Sequence, residues 1–274
     1  FLVPLVLSIA FSFTNYDGWK TIDFVGLTNY ITLFKDSKFY LSLGRTLLYT
    51  VCTLPFRVII PLLVAVLLCS KRVAAKSLTR TMVYIPVLMS SLVVGITINW
   101  MFSQEYGLVN FIIRSLGGTA LEWSLNPRLA TFVIAFASVW ASIGFNMILY
   151  IGGINSISND LYEAATIDGA SGVQAFFRIT VPMLAPTTFM VVLLSTVNLL
   201  KEYALVQGIT QGGPGLSTTF IIQYIFDKGF NQMQYGYASA ISTVVMIIFA
   251  LIAFAQFKVC LLYTSPSPRD RSLS

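Results

Sequence analysis

Histidine is absent from the 274 residues, and only 10% of them are charged. Without histidine there is no His-ligated haem, no His-containing zinc site and no imidazole general base. The shortage of charge decides more. A soluble domain carries roughly 25% charged residues, so this chain cannot coat a globule with solvated side chains. Cysteine is scarce too: Cys52, Cys69 and Cys260 form no spaced cluster. The first two sit in apolar runs and read as small buried hydrophobes. A Gly-x-x-x-x-Gly-Lys-Ser/Thr phosphate loop is also missing. The glycine-rich Gly208–Gly215 stretch has no lysine to reach phosphates and reads as a flexible loop after a span. These absences leave no catalytic residue, metal ligand or cofactor site to assign.

What is present is apolar. Hydrophobic residues make up 56% of the chain, and the mean hydropathy is +0.79. Runs such as 244–252 are continuously apolar, whereas a membrane β-barrel would alternate apolar and polar positions. The composition therefore points to an all-α, multi-pass protein in a lipid bilayer. Six segments approach membrane length: 1–14 (partial), 46–70, 81–103, 129–153, 187–208 and 236–257. The net charge of +6 comes without a basic stripe interleaved with aromatics, so no nucleic-acid partner is expected. Lys71, Arg72, Lys76 and Arg80 crowd one short connection that holds no acid, which places it in the cytoplasm. Alternation then puts 15–45, 104–128 and 209–235 outside and 154–186 inside.

The ends read differently from the middle. Residues 1–45 hold a first span that looks cut at its start, followed by an extracytoplasmic segment. A signal-peptide core is the competing reading, opposed by the missing basic flank and cleavage site. Residues 46–259 form the transmembrane core. Residues 260–274 resemble a translated sequencing-library adapter, with an ordinary Ser/Pro tail as the alternative, and no function is assigned to them.

The most informative stretch is 154–186. Asp160 followed by Glu163 has the spacing of a capping box, and predicts a short helix ending at Asp168 with Gly169 at the left-handed position beyond it. A second box, Ser171 with Gln174, opens a helix through Phe176, Phe177 and Ile179 until Pro182. A helix–turn–helix between two spans results. Leu161, Ala164 and Ala165 share one face. A carboxylate at a helix C-terminus opposes the macrodipole, so Asp168 is expected to brace the following helix instead.

The run Glu163, Ala164, Ala165, Asp168, Gly169, Ala170, continued by Phe176, Ile179, Pro182, Leu184 and Pro186, resembles the EAA motif of ABC-importer permease subunits. The flanks 24–30, 210–215 and 235–240 are similar to the carbohydrate-uptake branch of that family, the maltose and glycerol-phosphate type. Arg57 is not expected in such a span. The resemblance implies a type I importer fold with six transmembrane helices, in a prokaryotic cytoplasmic membrane. It also implies a coupling loop at 154–186 docked on a cytoplasmic ABC ATPase dimer. A second homologous permease, an extracytoplasmic solute-binding protein and a carbohydrate substrate complete the expected system. An ion-driven secondary transporter or channel is the alternative, opposed by the docking knob and by the lack of an acidic relay.

Polar groups inside spans are the remaining candidates. Arg57 falls in the second segment, and Lys201 and Glu202 in the fifth. Glu202 could pair with Arg57, or each could snorkel or face a water-filled cavity. Asn146, Asn198, Glu202 and Tyr203 offer the amide, carboxylate and aromatic groups of a sugar pathway, with Asn198 and Glu202 spaced for one helical face. Polar contacts between helices are the other reading of each.

Overall fold

The computed structural model describes residues 2–19, 22–70 and 76–264. Lys20, Lys71 and Arg72 lie outside them, as do the side chains of Lys76 and Cys260 and the tail from residue 265. Among the described residues the fold is helical, with no strand beyond one antiparallel bridge between Thr14 and Phe24. Three helices are long and apolar enough to cross a bilayer: Ser37–Cys69, Pro127–Asn155 and Tyr235–Val259. The first has 33 residues, about 50 Å at 1.5 Å per residue, so it begins well ahead of the apolar stretch that marks it in the sequence. Apolar side chains such as Val51 (69% exposed) and Leu251 (62% exposed) project from these helices, as lipid contact requires.

Two of the six expected spans are not straight. The segment 81–103 divides into Ser77–Leu88 and Ser91–Met101, bent by 101°. Pro86, which lacks an N–H, stands just ahead of the break. The segment 187–208 is a helix only to Leu200; Lys201, Glu202 and Tyr203 form a break before Ala204–Ile209. That helix also joins Gly172–Met183 across a 67° bend. Among the described residues there are therefore three unbroken spans, two bent pairs and the ten-residue apolar helix Leu2–Phe11. Hydropathy averages over a window and cannot see a bend. The connections expected to be polar loops also hold helices, Thr28–Lys35, Leu108–Ser115 and Ile221–Phe226.

The chain divides into two compact units. The first comprises 1–52, 91–137 and 198–253, around a core of Leu33, Phe39, Ile221, Tyr224, Ile241 and Val245. Here the helix Ser91–Met101 meets Ala204–Ile209 through glycines. A Cβ on Gly95 would lie 3.0 Å from the Gly208 Cα, and one on Gly208 would lie 2.7 Å from the Leu92 carbonyl oxygen. The Gly208–Gly215 stretch is consequently no flexible loop. Thr218 Oγ1 donates to the Gly213 carbonyl at 2.6 Å and shares a 2.8 Å bond with Thr210, and Thr219 Oγ1 donates to the Gly212 carbonyl. Buried Thr46, on the long first span, accepts the Ile221 N–H at 2.9 Å and so serves the helix Ile221–Phe226, whose own cap residue Phe220 offers no side-chain acceptor.

Asp36 joins three elements of the same unit. Its Oδ1 accepts the Lys38 N–H at 2.9 Å at the start of Ser37–Cys69, and its Oδ2 accepts the hydroxyls of Tyr224 and of Tyr237, the latter at 2.7 Å. Burial alone would raise the Asp36 carboxyl, but the hydrogen bonds from Tyr224, Tyr237 and the Lys38 and Phe39 N–H groups hold it below its ordinary value. Burial, reinforced by Asp36, pushes the Tyr224 phenol up. The second unit comprises the described residues of 53–90, 138–197 and 254–264, around Ala65, Leu68, Met147, Tyr150, Ile151, Leu184 and Val191. Gly144 there lets Pro127–Asn155 pack directly on the backbone at Val83 and Tyr84, 2.7–2.8 Å from where a Cβ would stand.

Two outcomes follow from this packing. Gly95→Ala or Gly208→Ala forces two backbones apart and lowers the thermal unfolding midpoint in detergent by several degrees, whereas Gly44→Ala, on an open helix face, is neutral or gains up to about 1 kcal/mol. A depressed Asp36 contributes stability above its unfolded value of about 3.9 and loses it as pH falls through the folded value. Acid thermal denaturation should thus be shallower below about pH 4 in Asp36→Asn than in the wild type.

Candidate functional site

The site is the helix–turn–helix at 158–183, which lies wholly within the second unit. Its first helix is Asn159–Ile167, and the residue that caps it is Ser158, whose hydroxyl accepts the Asp160 N–H at 3.3 Å. The expected cap at Asp160 is displaced by two positions. Serine has the shorter side chain and the extended backbone (φ −62°, ψ 136°) that a cap needs, and Asp160 instead puts its charge in the first turn. At the other end the Ala170 N–H donates to the Ala165 carbonyl at 2.9 Å and the Gly169 N–H to the Thr166 carbonyl at 3.1 Å. With Gly169 at φ +76°, this is a complete Schellman ending.

The second helix starts where the first has been closed. Ser171 and Gln174 form the expected reciprocal box, with the Ser171 N–H donating to Gln174 Oε1 at 2.8 Å and the Gln174 N–H donating to Ser171 Oγ at 3.3 Å. These two residues therefore brace the turn. The carboxylate of Asp168 makes no hydrogen bond among the described residues; its backbone N–H donates to the Ala164 carbonyl at 3.0 Å. Nor does Pro182 end the second helix. Gly172–Ala175 passes through a π-helical stretch at Phe176–Thr180 into Val181–Met183, because a proline in the first turn of a segment needs no N–H. The bend comes after Met183.

One side of the knob is fixed and the other is bare. The Tyr162 hydroxyl shares a 2.9 Å hydrogen bond with Oγ1 of buried Thr180, joining the two helices. Tyr162 and Ile179 pack on the unit's core beside Ile157 and Leu184. On the opposite side no residue of Asn159–Ile167 is buried. Glu163 and Ala164 are exposed and Ala165 half-buried. Ile167 is 87% exposed, with Val173 at 68% and Phe177 at 64%. Large apolar side chains are thus held out from the molecule by a turn with two caps. Ile167, Val173 and Phe177 were not among the candidates, although an isoleucine beside an Asp-Gly helix ending was a readable signal.

The polar candidates separate. Asn146 is buried in the second unit, where its amide donates to the Arg57 carbonyl at 2.9 Å and to Ser195 Oγ at 3.2 Å. Arg57 is itself 5% exposed and donates through Nη2 to Ser138 Oγ at 2.6 Å. Asn146 is thus held as an interhelical contact, with both amide hydrogens engaged. Asn198, Glu202 and Tyr203 belong to the first unit. Asn198 is exposed on the helix Ala185–Leu200, and Glu202 lies beyond its end, so the two do not share a helical face. Tyr203 packs against Phe226 with the rings tilted by 39° and their centroids 5.2 Å apart. Cys52 is exposed on its span rather than buried.

A capped, solvent-facing knob inserted between two apolar helices carries the EAA pattern, and the family of binding-protein-dependent transport system inner membrane components matches residues 24–259. The chain belongs to that family. It is therefore an inner-membrane component, and the sugar-system relatives agree. The arabinooligosaccharide transport system permease AraP of Bacillus subtilis is 32% identical, over 94% of this chain and 82% of its own length. The multiple sugar-binding transport system permease MsmF of Streptococcus mutans is also 32% identical, over 94% of this chain and 92% of its own. In fold, the chain is similar to a bacterial alginate ABC transporter solved in complex with an alginate-pentasaccharide-bound periplasmic protein, with TM-score 0.80 and 23% identity over 93% of this chain and 87% of that one.

The knob's turn can be tested apart from any partner. Gly169→Ala keeps ample space but strains a left-handed position, costing about 1–2 kcal/mol locally. Hydrogen exchange across 159–170 should accelerate accordingly, while Gly172→Ala, equally open and helical, should leave it unchanged or slower.

Proposed function

We propose that this chain is a transmembrane permease subunit of an ATP-driven, binding-protein-dependent carbohydrate importer. Membership of the family and the sugar systems named for its relatives support the substrate class. The observation that carries the coupling role is the knob itself. Its inner side is fixed to the core through Tyr162, Thr180 and Ile179, and its outer side presents Glu163, Ala164 and Ile167 bare. A force applied to that outer side moves the packed helices as one body.

The chain holds no phosphate-binding loop, so ATP hydrolysis belongs to a separate cytoplasmic ATPase dimer docked on 154–186. Closure of that dimer would shift the spans between inward- and outward-open arrangements. A second, homologous permease supplies the other half of the pathway, and an extracytoplasmic solute-binding protein delivers the sugar. Asn198, Glu202 and Tyr203 remain pathway residues in this reading; Asn146 contributes by tying its helix to those of Arg57 and Ser195 rather than by a free amide.

Glu163→Lys places a cation where the docked partner meets the small Ala164–Ala165 face, and Gly169→Pro removes the N–H that closes the turn. Both should abolish binding-protein- and sugar-stimulated ATPase activity in reconstituted transporter while membrane insertion stays normal. Undiminished stimulation in both variants would overturn the coupling assignment.

A further inference from the structure

The first unit contains a cavity of about 450 Å³ that none of the sequence candidates reaches. It lies at the head of the span Ser37–Cys69, beside the short helices Ala204–Ile209 and Ile221–Phe226. Its polar lining includes five carboxamides, Gln207, Gln211, Gln223, Asn231 and Gln232, beside charged residues. The rings of Tyr224 and Phe226 supply flat apolar surface. Its volume falls in the range of pockets that hold small organic ligands.

Two of the amides have an incomplete partnership. Gln223 is 7% exposed, and its Nε2 donates to Gln207 Oε1 at 3.2 Å. Among the described residues, Gln223 Oε1 is buried without a hydrogen bond. The pair therefore leaves Gln223 Oε1 as an acceptor without a partner, while Gln207 carries an amide NH2 that can donate. Turning both amides over exchanges these two groups and leaves the same complement. Leaving a buried amide oxygen unbonded costs about 1–3 kcal/mol, so the site is built for something that supplies a hydrogen there. Three of the four charged lining residues are engaged: Arg45 donates to the Leu216 carbonyl, Lys228 to Gln232 Oε1, and the Asp227 carboxylate accepts from Asn231 and Gln232; Lys38 is the fourth.

We infer that this cavity is an outer waiting site for a carbohydrate, in which adjacent sugar hydroxyls donate to Gln223 Oε1 and accept from Gln207 Nε2. A hydroxyl both donates and accepts, so neighbouring hydroxyls match an amide pair that offers one of each. The inference rests on the carbohydrate-import reading above, and adds a stop on this chain before the central pathway.

The test uses the full transporter in nanodiscs without its binding protein, probed by saturation-transfer NMR with maltotriose, arabinotriose and raffinose. Uptake of the same sugars into proteoliposomes with the binding protein present is measured in parallel. An imported sugar should show saturation transfer, and Gln223→Leu should weaken its apparent affinity by about tenfold. Gln223→Glu, which keeps an acceptor, should retain most of it. Equal binding of an imported sugar by wild type and Gln223→Leu overturns the waiting site and leaves the import reading intact. So does a Gln223→Leu variant that fails only to assemble with the second permease. A transporter that neither imports nor binds any of the three overturns both.

Discussion

Helices in hydrocarbon gain nothing by hiding apolar surface from lipid tails that are equally apolar, so they hold together by close packing and by a few polar contacts. This constraint explains where the glycines stand. Gly95 and Gly208 bring two short helices to backbone contact in one unit, and Gly144 does the same against Val83 and Tyr84 in the other. Dispersion between backbones at that distance replaces the hydrophobic drive of a soluble core. The polar contacts obey the same logic. Asn146, Ser138, Ser195 and Arg57 are buried together in one unit, where Asn146 donates to Ser195 and to a helix carbonyl and Arg57 donates to Ser138. An unsatisfied group there would cost several kcal/mol.

The knob inverts that pattern. Its stability comes from local hydrogen bonds at a Schellman ending and a capping box placed end to end, which close both helix termini within four residues, 168–171. Because the turn is self-sufficient, the outer side chains are released from any duty in folding. Ile167 can stand 87% exposed on a rigid frame. Rigidity on the inner side and bareness on the outer side are the two properties a mechanical coupling element needs. The π-helical stretch at Phe176–Thr180 sits at the root of the knob, where it keeps Ile179 on the core and lets the chain pass Pro182 before bending.

Much of the knob was legible in the sequence because its determinants are local. Ser171 with Gln174, and Gly169 after a short helix, are spacing signals that tertiary packing did not override. The first cap was misplaced by two residues because Ser158 and Asp160 both satisfy the same short-range rule. The spans were legible as apolar length and not as shape. Nothing in a hydropathy window distinguishes the straight Pro127–Asn155 from the pair bent by 101° at Met89 and Ser90. Pro55 and Pro61 lie within an unbroken helix while Pro86 precedes a break, so proline alone does not mark the site of bending.

The candidate pathway shows the limit most clearly. Helical spacing placed Asn198 and Glu202 on one face, but the helix ends at Leu200, and its periodicity ends with it. Gln223 and Gln207 are sixteen residues apart and on different helices, so no spacing rule could pair them. Composition, with its sparse charge and long apolar runs, determined a membrane protein, because those properties follow from the residue order and counts alone. The EAA turn was likewise determined by neighbours along the chain. Which glycines touch, which amides meet and which oxygen stays unbonded were decided only by the tertiary structure, because those contacts join residues that the sequence holds far apart.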